Sequence, residues 1–529
     1  MKSTATLFCF ITSLLTTITL YAQDPNIIWQ KTIGGSDSEF FYDLKETNDG
    51  GYILGGYSVS DISGNKTDPS NGEADIWAVK INENGEIEWQ NSIGGNNTED
   101  AHSITITDDG GYILVGESDS NISGDKTEDE RGLYDYWVVK IDGSGNVEWD
   151  KTIGGTDRDW LPKIAASTQG DYFICGESGS DISGEKTENL IGGTDYWVLK
   201  IDDSGTILWQ DTIGGTDYEG FRAIASTFDG GVIIGGSSES NTSGDKTEDS
   251  KGGRDYWIVK LDVSGAIEWE KTIGGNSGDR LSSITQTEEG GYLLGGTSYS
   301  DISGDKTESA IGDGDYWIVK TDANGSIEWQ NTIGGENYDN VTTVFQTTDG
   351  DYLIGGYSSS DISADKDENS LGGLDYWVLR LNNTGFIEWQ NTIGGNSSDY
   401  LQTFIQSSDG NYVLGGDSGS NISGDKTEDS FGQKDYWVIK LNNILGLSEN
   451  ELSNNLTVYP NPTNNTLQLN ATNQQIDRVK IFSVKGDLVQ QIEGFETSKT
   501  IDVSPLASGM YYVQFTAGRQ IATKKFIKQ

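Results

Sequence analysis

Cysteine and histidine are close to absent from this chain of 529 residues, which carries two of the first and one of the second. That scarcity excludes a Ser-His-Asp triad, a Cys/His nucleophile pair and a zinc site of the usual kind. Cys9 falls inside an N-terminal apolar segment, so Cys175 has no partner for an intrachain disulfide once that segment is cut away. Basic residues are scarce too: 35 Lys and Arg face 83 Asp and Glu, for a net charge of -48. The imbalance is uneven, with 8 basic and 6 acidic residues over 451–529 but 26 against 77 between residues 3 and 450. Such a surface repels phosphate backbones, which argues against nucleic acid as a partner, and it attracts cations. Long apolar runs are missing beyond the N-terminus. The one run, Leu7 to Leu20, follows Lys2 and precedes a small residue at Ala22, the pattern of a secretory signal peptide over residues 1–22. It is short for a bilayer span and no later segment is apolar enough, so the mature chain is expected to have no transmembrane segment.

What the chain does have is a repeat. Copies of the segment Asp135 to Gly155 recur every 60 residues, placing one tryptophan at each step from Trp77 to Trp437 and another from Trp29 to Trp389, fourteen of the fifteen in all. A strict long period signals a solenoid or a propeller. Each unit divides into four strand-like segments separated by turn signals, as a propeller blade does. In the second unit strand A is expected over Ala101 to Thr107, strand B over Tyr112 to Gly116 and strand C over Asp135 to Ile141. In strand D, Val147, Trp149 and Ile153 alternate with Glu148, Asp150 and Thr152, the pattern of a half-exposed edge. The repeat region opens with a D-type strand, Ile27 to Gly35, and stops after a C-type strand, Asp435 to Asn442. Each end lacks what the other has. The expected fold is therefore all-β: a seven-bladed β-propeller over 23–447, closed by its N-terminal strand and leaving no raw edge between first and last blades. A polar linker over 448–454 follows, then seven short strand-like segments over 455–529 that suggest a small Ig-like β-sandwich.

Two resemblances rest on these residues. The units, quoted by Asp255-Tyr256-Trp257, Trp269 to Gly275 and Glu289-Gly290-Gly291-Tyr292, resemble a family of bacterial β-propeller repeat proteins, which implies the fold and no common activity. The tail is similar to the type A C-terminal sorting domain of the type IX secretion system. The matching residues are Val458 followed by Tyr459, Pro460, Asn461 and Pro462, then Ser508-Gly509-Met510-Tyr511, and finally Lys524 and Lys525 near the terminus. The resemblance implies a Bacteroidota-type cell, Sec export, passage through the type IX machinery as partner, and delivery of the propeller to the cell surface or medium.

Comparing the seven copies with one another locates candidate chemistry. Three positions are acidic in every copy: Glu39 through Asp399, Asp75 through Asp435, and Asp68 through Glu428. Seven identical carboxylates make poor acid/base equipment, because that work needs groups whose environments differ, so hydrogen bonding to backbone N–H groups is the expectation. The long loop carries an alternating oxygen pattern, and Asp301, Ser303 and Asp305 are weak calcium candidates. The embedded Lys306 argues instead for a self-contained turn with a lysine–carboxylate contact, so no cofactor is expected beyond that calcium option. Cys175 and His102 sit at positions filled by unrelated residues in other copies, and Cys175 reads as a small core residue.

The copies diverge most at the positions of Phe40, of Tyr42, of Asn71 and of Ala74, which should gather on the face where the D-to-A and B-to-C connections emerge. Phe40, Tyr42, Trp160, Tyr218, Arg222, Arg280, Tyr338 and Tyr400 are the candidate ligand-binding residues there, with aromatic rings suited to stacking on sugars or protein side chains. The leading expectation is a secreted, non-catalytic binding propeller for a glycan or protein ligand. A polysaccharide-acting enzyme using face carboxylates and a structural surface-matrix protein are the alternatives.

Overall fold

Strand C is apolar on both faces, and a strand with that pattern must be covered on both. In the computed structural model all seven residues of Asp135–Ile141 are buried, as are those of the corresponding strand in every other blade. Residues 25–443, 456–471, 475–483, 488–517 and 520–529 are described; the expected signal peptide and linker lie outside them. The chain divides into two compact units between Asn443 and Ile444.

In the first unit seven four-stranded antiparallel sheets follow one another. The first strand, β1 (Ile27–Ile33), stands apart from the first blade, whose sheet order is β2 (Glu39–Glu46), β3 (Tyr52–Ser58), β4 (Asp75–Ile81) and β5 (Ile87–Ile93). β1 instead pairs with Asp435–Leu441, aligning Thr32 with Trp437 and Ile33 with Tyr436. The same register aligns Thr212 with Trp197 and Ile213 with Tyr196 inside the third blade. The junction of last and first blades matches the others in detail. Tyr436 Oη donates to the Trp77 carbonyl at 3.3 Å, as Tyr376 Oη does to the Trp437 carbonyl at 3.2 Å. The ring is closed.

Some expectations need correction. Strand A of the second blade spans Glu99–Ile106 and strand B Tyr112–Ser118, both reaching further toward the loop face than expected, because Ser118 lies opposite Glu99 and donates its hydroxyl to that carboxylate at 2.8 Å. Strand D is not a simple alternating edge: Asp150 and Thr152 are buried under the long loop. Asp150 accepts from the Trp137 indole at 3.0 Å and from the Thr127 N–H at 3.0 Å, while Lys126 donates to the Thr152 hydroxyl at 2.6 Å. The embedded lysine thus reaches a hydroxyl rather than a carboxylate, with its ammonium 5.4 Å from the Trp137 ring centre. Cys175 is fully buried in the core, and burial pushes its thiol well up.

In the second unit the sheet Leu456–Tyr459, Thr466–Ala471, Ser498–Asp502 and the sheet Leu488–Phe495, Ile476–Ser483, Gly509–Ala517, Gln520–Lys528 enclose a core that includes Leu467, Val479, Phe515 and Phe526. Asn461 ties the Tyr459–Pro462 turn to the last strand, donating to the Lys525 carbonyl at 3.0 Å and accepting from the Ile527 N–H at 2.9 Å. Gly509 opens its strand opposite Lys528, and Lys524 pairs with Val513.

Candidate functional site

The acidic positions hold backbone within each blade and, at the Asp159 position, across to the preceding one. The Asp159 carboxylate accepts from the Gly155 N–H at 2.7 Å, and Asp135 accepts from the Arg131 N–H at 2.5 Å. Glu428 accepts from the Thr32 N–H at 2.7 Å, supplying an acceptor to the outermost strand. A side chain at Gly154 would meet Asp135 Oδ1 at 1.8 Å, which explains the Ile-Gly-Gly step. These carboxylates hold backbone in place. Burial raises Asp135, Asp195, Asp255 and Asp339 to about 6, and Asp435, which also faces Glu39, to about 7.

The Ser303 and Asp305 oxygens, two of the calcium candidates, have partners of their own. Ser303 Oγ accepts from the Asn276 N–H at 2.8 Å and donates to the Asp301 carbonyl at 2.8 Å, and Asp305 accepts from the Gly274 N–H at 3.1 Å and from Lys251.

Strand A lines the central channel, and in every blade its pairing with strand B slips by a residue or more near the loop face. In the first blade Phe41 faces Gly56 and Asp43 faces Gly55, so Tyr42 is the extra residue of a bulge. A bulge turns a side chain out of the ladder. Here the turned residues include Tyr42, His102, Arg222, Ser282, Thr342 and Gln402, which together line a cavity of about 420 Å³. In the third blade the slip spans Trp160 to Lys163, where Leu161 adopts a φ of 54° and Lys163 enters the cavity wall. All seven blades thus contribute to one space. Their backbone frames are alike and their side chains are not.

Of the residues picked from the sequence, Tyr42, Tyr218, Arg222 and Arg280 line this cavity. Phe40 stacks on Tyr57 at 4.7 Å, and Lys434 lies over both Phe40 and Tyr400, 5.2 and 4.2 Å from their ring centres. Trp160 is covered by Arg158 at 4.9 Å, and Tyr338 packs near Tyr357 with ring centres 6.4 Å apart. The Asn71 position does not join the channel mouth. Its counterpart Arg131 reaches Glu185 in the next loop at 3.0 Å, because the long loops touch sideways.

Sequence comparison overlooked the strand B position opposite Phe40, which carries Tyr57, Glu117, Glu177, Ser237, Thr297, Tyr357 and Asp417. Its variability was readable in the same way. Glu177 is buried there, accepting from Tyr218 Oη at 2.7 Å and from Arg222 at 2.8 Å, and burial raises it. Lys163 was also overlooked; desolvation lowers it to about 8, against the pull of Asp43. Asp43 is itself bound to Lys45 at 2.6 Å. Among the described residues neither Lys163 nor the exposed Arg280 has a carboxylate within ion-pair distance.

Residues 457–529 match the family described as secretion system C-terminal sorting domain. That module directs export by the type IX system to the cell surface or extracellular space. Regulatory protein FlaEY of Caulobacter vibrioides is 22% identical over 424 residues, 72% of this chain and 42% of that protein, so the match spans about two fifths of the relative's length. Among solved structures the WD40 domain of Neurospora crassa Pan2 is similar with a TM-score of 0.42 and 11% identity, covering 81% of this chain and 100% of that one. Prolyl oligopeptidase B of Galerina marginata gives a TM-score of 0.40 and 9% identity, covering 83% and 57%. Among the described residues no helix is long and apolar enough to cross a membrane.

Proposed function

We propose that this exported propeller binds an acidic glycan, carboxylated or sulfated, at the loop-face mouth of its channel. The observation that carries the reading is the convergence of Arg222, Arg254, Arg280 and Lys163 with Tyr42, Tyr218 and Tyr357 on one cavity, in a chain whose net charge is -48. Cations gathered against so strong an overall charge select an anion, and tyrosine rings stack on the apolar faces of sugars while their hydroxyls reach the rims. Arg280 is exposed and free of a carboxylate partner, so it is the group available to a ligand anion.

Isothermal titration of uronic-acid and sulfated oligosaccharides against neutral ones tests this. The acidic series should bind and the neutral series should not, with affinity falling as sodium chloride rises. Arg280→Ala should weaken binding about 10-fold or more, the worth of one charge-assisted contact. The variant keeps the fold because the same position holds Gly220 and Asn340 in other blades. Equal binding of neutral sugars would refute the reading.

A polysaccharide-cleaving enzyme is the second reading, favoured by one pair of groups. Oxygens of Asp100 and Glu117 lie within 4.8 Å of each other, near the roughly 5–5.5 Å of retaining glycosidases. Their acidities diverge as such pairs require. Burial raises Asp100 to about 6; Glu117, also pushed up by burial, is brought below its ordinary value by the His102 imidazole, the Leu161 N–H and Arg158. Release of reducing ends from an acidic polysaccharide, lost in Asp100→Asn, is the expected sign of this activity; no release by the wild-type chain would exclude it for that substrate class.

A further inference from the structure

The second blade differs from the other six at one ladder step. Asp100 and Glu117 stand directly opposite each other on strands A and B. Opposed like charges destabilise a sheet. The corresponding pairs elsewhere, such as Phe40 with Tyr57 or Arg280 with Thr297, never oppose two acids. The bulge then turns His102, the only histidine of the chain, to the same point.

The imidazole is 7% exposed, and its Nε2 has no hydrogen-bond partner, although Glu117 Oε2 lies 3.7 Å away. Asp100 Oδ1 is likewise buried without a partner. Unpartnered buried polar atoms are costly, and here two of them, His102 Nε2 and Asp100 Oδ1, lie beside the Glu117 carboxylate. Among the described residues Arg158 is the one Lys or Arg within ion-pair distance of these carboxylates, and it does not satisfy them. Arg158 lies 3.7 Å from Glu117 Oε1, beyond hydrogen-bond reach, and stacks on Tyr134 and Trp160.

We propose that Asp100, His102 and Glu117 bind a single first-row divalent transition ion, for which zinc is the probe. One oxygen or nitrogen from each lies within 4.8 Å of the others, and modest side-chain rotation brings all three to the ~2.0–2.2 Å that zinc takes with nitrogen and oxygen. One imidazole with two carboxylates suits such ions better than calcium, which prefers oxygen alone. The surroundings hold the ligands in place: the Leu161 N–H donates to Glu117 Oε2 at 2.8 Å, and Tyr42 packs edge-on against the imidazole, ring centres 4.7 Å apart. Three protein ligands leave the remaining positions of the ion open toward the cavity that His102 lines. The site does not require glycan binding, but it takes Asp100 and Glu117 from the polysaccharide-cleaving reading, since carboxylates bound to an ion cannot also serve as the acid and nucleophile.

The full chain, labelled with ¹⁵N-histidine and stripped with EDTA, gives a single imidazole to watch. Titration with zinc in 0.5 M sodium chloride, which screens diffuse attraction to the acidic surface, should saturate at one equivalent and move the Nε2 resonance. His102→Gln, matching Gln402 at the same position of the last blade, should weaken zinc binding at least about 100-fold, and Asp100→Asn at least about 10-fold; neither should lower the melting temperature of the metal-free chain, and Asp100→Asn should raise it by relieving the opposition of Asp100 and Glu117. Calcium should leave the imidazole signals where they are. Unmoved resonances in excess zinc would overturn the proposal on the wild-type chain alone, and so would equal zinc affinity in His102→Gln.

Discussion

Acidifying the protein from pH 8 to pH 5 should raise its melting temperature by about 5 °C or more, the reverse of the usual loss on acidification. The cause is the ring of buried carboxyls at the blade junctions. Asp135, Asp195, Asp255 and Asp339 have folded values of about 6 and Asp435 about 7, all raised from 3.8 by burial. An acid whose folded value is raised holds more protons folded than unfolded in that window. Stability is therefore present in full below the unfolded value and is lost as pH climbs through 6 to 7.

The gain stops at lower pH. Asp49, lowered to about 2 chiefly by its hydrogen bond from Thr47 with help from Lys80, contributes stability that is lost as pH falls through that value. On the alkaline side Lys186 and Lys366, lowered to about 8 by desolvation, give a smaller rise above pH 8, because the unfolded chain then binds more protons. Melts across pH 3 to 10 should show a minimum near pH 7 to 8. Asp435→Asn, a neutral mimic, should raise the melting temperature at pH 8 and shrink the acid gain. A melting temperature that falls steadily from pH 7 to pH 5 would contradict this account.

Removing Ile27–Ile33 should lower the melting temperature by at least about 10 °C or cause aggregation. Strand β1 supplies the whole outer ladder of the last blade. Gln30 Oε1 accepts from the Trp437 indole at 3.1 Å and from the Thr427 N–H at 3.2 Å, so both lose their acceptor together with the ladder. Asp435–Leu441 would become a bare apolar edge, a template for pairing with other chains. A synthetic peptide spanning Ile27 to Gly35 should restore the melt in trans. An unchanged melting temperature in the truncated chain would show that closure contributes little.

The architecture was legible because a strict repeat repeats its reasons. The step from Trp137 to Trp197 fixes the blade length, and the stray D-type strand at Ile27 together with the missing one after Leu441 fixes the closure. The sorting tail was legible from short motifs that Asn461 and Gly509 now place on one strand pair. The acidic positions could be read as structural from their sameness alone.

Which variable positions meet could not be read in that way. Tyr42 and Asn71 vary alike along the sequence, yet the bulge in strand A turns the Tyr42 position into the channel while the folded loop turns the Asn71 position toward its neighbour. His102 looked inert as the single histidine of the chain. Only the antiparallel pairing of Asp100 with Glu117, and the slip of one residue beside it, bring three ligand-type groups within 4.8 Å. Sequence alone determined the blades, their number and the export signal, since periodicity and local pattern suffice for these. The tertiary structure decided the site, because a one-residue change of register reverses the direction of a side chain and ring closure gathers residues 60 positions apart around a single cavity.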